Sequence, residues 1–172
     1  MTASGRKAAL PRAAAHAAPA AKRLPIPKAS RQASPALSPQ RPRKPAATLV
    51  LDSSCWLEFF ADGPQADLYA DALDRIDTVV VPVIVLYEVA KKLHREAGDE
   101  VATAALALMQ QAQVVTLDAA LALEAAVNGL PLADSIIYAT ARRHGAELWT
   151  QDAHFEGLAG VRFFPKEKGL AD

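Results

Sequence analysis

One cysteine, Cys55, stands in the 172 residues. No internal disulfide can form, and the chain fits a reducing, cytoplasmic compartment. The four histidines, His16, His94, His144 and His154, show no paired metal spacing, so a zinc-type Cys/His cluster is excluded. No apolar run approaches the ~20 residues needed to span a bilayer. There is no glycine-rich phosphate loop and no G-x-S-x-G elbow, which argues against two large hydrolase classes. Aromatics make up only 6% of the chain. Alanine is abundant instead and favours closely packed helices.

Acidic residues are missing from positions 1–46, which hold ten Lys/Arg, eight of the twelve prolines and fourteen alanines. Prolines 25, 27, 35, 39, 42 and 45 prevent a stable helix there. Residues 1–46 are expected to form a disordered basic Ala/Pro-rich extension. It reads as a solvated extension from an upstream start codon, a basic arm touching nucleic acid, or a targeting segment. The rest, 47–172, carries nine basic and nineteen acidic residues, a formal charge of −10. Such a body suits metal cations and basic peptides, and its average field does not attract RNA.

The folded body reads as strands alternating with helices. Thr48–Asp52 is an apolar strand, and Ser53 and Ser54 can cap a helix over Cys55–Ala61. A helix is expected over Gln65–Ile76, a strand over Thr78–Val81, and a helix from Pro82 to about Ala97, ended by Gly98. Helix Glu100–Ala112 and strand Val114–Leu117 follow. Asp118 caps helix Ala119–Asn128. A turn at Gly129–Leu132 leads into helix Ala133–His144. Strand Glu147–Thr150, a tight turn or short helix over Gln151–Phe155, and an edge strand Val161–Phe164 complete the pattern. It predicts a parallel α/β sheet with right-handed crossovers.

Four acids fall at telling places. Sites in open parallel sheets form outside the carboxyl ends of the strands. Asp52 ends the first strand and Asp152 lies just past the fourth. Glu88 sits two turns into the helix after the second strand, and Asp134 begins a helix after Pro131. Spacing alone does not say whether those two point the same way. Clustered carboxylates repel unless a cation compensates, and Mg²⁺ and Mn²⁺ want oxygen ligands. Such ions activate an attacking water and neutralise a leaving oxygen, the chemistry of phosphodiester cleavage. Each acid also has a plainer reading: Asp52 as a strand-end cap, Glu88 in a surface pair with Lys91 or Lys92, Asp134 as a helix N-cap, Asp152 as a turn residue. A phosphotransfer aspartate at Asp52 would need a D-x-D pair, and Ser53-Ser54 follows instead.

Leu49-Val50-Leu51-Asp52-Ser53-Ser54, Val81–Val89 around Glu88, Leu130–Ala141 around Asp134 and Leu148–Phe155 around Asp152 occur in an order that resembles a PIN domain. Within that family they are most similar to the VapC-type ribonuclease toxins of toxin–antitoxin pairs. The resemblance covers roughly 48–165 and sets an expected domain of 47–168. It implies a PIN-like three-layer α/β/α fold with a central, mainly parallel sheet of four to five strands. It further implies Mg²⁺- or Mn²⁺-dependent endoribonuclease activity, with Asp52, Glu88, Asp134 and Asp152 as the acidic metal-holding quartet. Thr150 matches the hydroxyl two positions before the last acid. A homodimer and a basic-tailed antitoxin partner are expected, with RNA as substrate and no membrane contact. The extension at 1–46 departs from the family pattern. The rivals are a catalytically weak PIN-fold module that binds RNA or a partner, and a nuclease of the same fold that processes RNA or cuts DNA outside a toxin–antitoxin pair.

Overall fold

The computed structural model of the protein describes residues 47–166. The expected extension at 1–46 and the last two positions of the expected domain lie outside them. Three short strands form the buried middle of the sheet: β1 (Leu49–Leu51), β2 (Val79–Pro82) and β4 (Glu147–Thr150). β3 (Gln113–Val115) and β5 (Val161–Phe163) are the edges. The order is β3-β2-β1-β4-β5 and every neighbouring pair is parallel. Parallel neighbours need crossovers, and six helices among the described residues supply cover for the sheet: α1 (Ser53–Phe60), α2 (Ala66–Leu73), α3 (Val83–Glu96), α4 (Asp99–Met109), α5 (Ala119–Ala126) and α6 (Leu132–Arg143).

Strands apolar on both faces belong between two helical layers. Val50, Leu51, Val79, Val80, Val81 and Leu148 are buried accordingly. Each such side chain contributes roughly 1.5–3 kcal/mol by leaving water. Trp56 and Phe60 of α1 stack at 5.8 Å between ring centroids and extend this core. A smaller cluster of Leu121, Ala125, Ile136 and Ala139 joins α5 to α6. Gly98 at φ 87 turns the chain sharply between α3 and α4, a conformation that a side chain would strain.

Several boundaries differ from the sequence reading. α2 stops at Leu73, and a 3-10 turn at Ile76–Thr78 replaces its last turn, because the chain must swing into β2. α5 ends at Ala126 rather than Asn128. The Asn128 side chain instead donates to the Ser135 carbonyl at 3.1 Å and ties the turn to α6. β3 ends at Val115 because its partner strand ends at Pro82, opposite it. α1 starts at Ser53, and its N-cap is Asp52 rather than Ser53 or Ser54.

The strand order makes the site geometry. From β1 the chain moves one way to β2 and β3, then returns to the other side of β1 for β4 and β5. β1 and β4 therefore flank a topological switch point, where connections leave in opposite directions and a crevice opens at the carboxyl ends. Asp52 and Asp152 follow those two strands.

Candidate functional site

Asp52 is buried beside the first turn of α1. Its Oδ1 accepts the Ser53 N–H at 2.7 Å. Its Oδ2 accepts two hydroxyls, Ser54 Oγ at 2.7 Å and Thr150 Oγ1 at 2.9 Å. Both hydroxyls also accept a backbone N–H from the loop after β4: Gln151 donates to Ser54 Oγ at 3.0 Å, and Asp152 donates to Thr150 Oγ1 at 2.9 Å. One carboxylate oxygen thus stitches the end of β1 to the end of β4 through two relays. Hydroxyls can donate and accept at once, which is why Ser and Thr suit these positions.

Asp134 lies in the first turn of α6, but it does not cap the helix. Pro131 holds the N-cap position, with no side-chain bond. The Asp134 side chain, 15% exposed, takes His154 Nδ1 at 2.9 Å. Burial pushes its carboxyl up, the His154 bond draws it down, and the charges of Asp152 and Asp52 push it up again. Asp152 starts the 3-10 turn Ala153–Phe155, and its Oδ1 accepts the His154 N–H at 2.9 Å. Glu88 is half-buried on α3. Burial raises its carboxyl most. The Ser53 hydroxyl opposes this, while Asp52, Asp134 and Asp152 each add to it. The surface pair with lysine does not form: Lys92 pairs with Glu96 at 3.0 Å, and Lys91 lies 5.6 Å from the Tyr87 ring centre.

All four acids named from the sequence therefore sit near one another at the carboxyl end of the sheet. They are not equally close. Among the described residues, the group whose ligand atoms all lie within 4.8 Å of one another is Asp134, Asp152 and His154. Asp52 and Glu88 stand beside that group. The donor set is carboxylate oxygen with one imidazole nitrogen. It fits a divalent cation, which would also relieve the mutual repulsion recorded in Glu88 and Asp134. Sequence reasoning missed two residues here. Ser54 looked like a cap, and its second bond depends on a strand some hundred positions away. His154 had no histidine partner, and the available signal was its place two residues after Asp152.

A family model described as "PIN domain" matches residues 49–161. No curated protein matches the chain. Among solved structures, the chain is similar to a toxin–antitoxin complex from Klebsiella pneumoniae, with TM-score 0.59 and 21% identity, over 69% of this chain and 100% of that one. It is also similar to VapC20 of Mycobacterium tuberculosis, described as a sarcin–ricin loop cleaving toxin. There the TM-score is 0.55 and the identity 23%, over 67% of this chain and 99% of that one. A third is VapBC2 from Rickettsia felis bound to a DNA fragment from its promoter, with TM-score 0.54 and 15% identity, over 69% and 98%. At these identities the likeness is one of fold. The family match runs from β1 to the first residue of β5, through the other four strands and past all four acids, and the chain belongs to the PIN domain family.

Proposed function

We propose that this chain is a metal-dependent endoribonuclease of the VapC type, acting as the toxin of a toxin–antitoxin pair. The observation that carries this reading is the meeting of Asp52, Glu88, Asp134 and Asp152 at the switch point, with Glu88 and Asp134 both pushed upward by burial and by the other acids. These four residues would hold Mg²⁺ or Mn²⁺. When bound, such an ion supplies an activated water and neutralises charge on a phosphodiester. The chain's own part is arrangement. Thr150 and Ser54 fix the Asp52 carboxylate in one orientation. Glu88 and Asp134 bring carboxylates in from two further helices. If the 3′-oxygen leaves, cleavage yields a 5′-phosphate end.

Three features support the partners. The body's formal charge of −10 suits an antitoxin with a basic tail. Toxin–antitoxin complexes stand among the structures of the same fold. Val83 and Tyr87 on α3, Leu123 on α5 and Leu132 on α6 are exposed large apolar side chains, which favours a homodimer or a partner surface. No helix among the described residues is long and apolar enough to cross a membrane.

The test is RNA cleavage by purified protein with Mg²⁺ or Mn²⁺, beside Asp52→Asn. The carboxamide keeps the shape and removes the charge, so cleavage should drop to background. Equal cleavage by both proteins would remove the assignment.

A further inference from the structure

His154 approaches two acids from two different elements. Its Nδ1 is 2.9 Å from Asp134 Oδ2 and 3.4 Å from Asp152 Oδ1. Asp152 also holds the backbone N–H of His154 at 2.9 Å, so the carboxylate fixes the turn that carries the ring. The imidazole is 60% exposed. Packing does not account for its position, and these two carboxylates do.

Those spacings have a second meaning. Ligands ~2.1 Å from an ion lie about 3.0 Å apart at octahedral right angles and about 3.4 Å apart at tetrahedral angles. The two nitrogen-to-oxygen distances thus already stand near the edge lengths of a coordination polyhedron, and the ligand atoms of all three residues lie within 4.8 Å of one another. Resting on the reading of these acids as metal holders, we propose that His154 is itself a ligand, giving one ion a nitrogen donor beside Asp134 and Asp152. A nitrogen donor biases a site. Imidazole suits the later first-row ions, whereas an all-oxygen set suits Mg²⁺. His154 then tilts this protein toward Co²⁺ over Mg²⁺, with Mn²⁺, the least nitrogen-seeking of the first-row ions, between them. The rival reading is a purely positioning histidine, whose Nδ1–H donates to Asp134 and which never meets the ion.

The experiment is calorimetric titration of Mg²⁺, Mn²⁺ and Co²⁺ into the full chain, its His154→Ala variant and its His154→Gln variant. Pulsed electron-spin-echo spectra of the Mn²⁺-loaded proteins accompany it. His154 is exposed, so both variants should keep the wild-type circular dichroism. The expected result is a loss of Co²⁺ affinity of ~10-fold or more in both variants, a smaller loss for Mn²⁺, and a change under about 3-fold for Mg²⁺. The wild-type spectrum should carry nitrogen modulation that both variants lack. Equal losses for the three ions, or a bound Mn²⁺ without nitrogen modulation in the wild type, would overturn the proposal and leave the nuclease reading standing. If the wild type binds no ion at all, both fall together.

Discussion

Thr150 Oγ1 donates to Asp52 Oδ2 at 2.9 Å across 98 positions of sequence, and the same oxygen accepts the Asp152 N–H at 2.9 Å. Thr150 is fully buried, so no water can replace it. Thr150→Val keeps the branched shape and removes the hydroxyl. It leaves the Asp152 N–H without its bond and Asp52 with one donor fewer. The expected cost is ~1–3 kcal/mol in urea unfolding. RNA cleavage should fall about 10-fold or more if orientation of the acids matters. Thr150→Ser should restore most of both.

Stability should fall with pH in the absence of metal. Glu88 and Asp134 have folded-state carboxyls raised above their unfolded values, first by burial. The folded state therefore holds protons more tightly than the unfolded chain. The stabilising preference for the protonated forms is fully present below the ordinary carboxylate range and is lost as pH rises through the raised folded values. Urea midpoints without metal should decline across that window, and Glu88→Gln should flatten the decline. Added Mg²⁺ or Mn²⁺ should reverse it at neutral pH by binding the ionised forms. A midpoint that climbs over the same window in metal-free protein contradicts the arrangement.

Leu51 lies fully buried in the central strand, immediately before Asp52. Leu51→Ala should cost ~2–5 kcal/mol, because the neighbouring strands cannot close over the space. Chemical denaturation measures it directly. Fluorescence of Trp56 and Trp149 reports on α1 and β4, which pack beside it.

Cys55 should be inert in the native protein. Burial pushes its thiol up to about 12, and the nearby Asp52 charge adds to this. The thiolate is the reactive form. A thiol reagent at neutral pH should modify nothing until denaturant is added, and then one group per chain. Rapid labelling of the folded protein would mean that α1 opens readily.

Much of this fold was legible in the sequence, and the reason is physical. The strands are short apolar runs, and a parallel strand buried on both faces has no other composition available. β4 falls where the sequence reading put it, at Glu147–Thr150, and Asp118 caps α5 through Leu121 N at 2.6 Å. Helix ends were less legible. Ile76 continues the apolar period of α2, yet the backbone leaves the helix at Asp74, since a side chain can reach the core from a 3-10 turn as well. Asp134 was the hardest of the acids. Its sequence position suits a cap, and only the path of α6 over the sheet brings its carboxylate to His154. Local pattern reports on burial and capping, whereas contacts such as Ser54 with Gln151 depend on how distant segments dock.

The return of the chain to β1 through β4 has a consequence during translation. Asp52, Glu88 and Asp134 are all made before Glu147, but β1 has no partner on its β4 side until that strand is synthesised and released. A nascent chain still threaded on the ribosome at that point has three acids and neither Thr150 nor Asp152. The centre is completed only once β4 and the turn after it have emerged, so a half-made copy is a chain whose site is still open on one side.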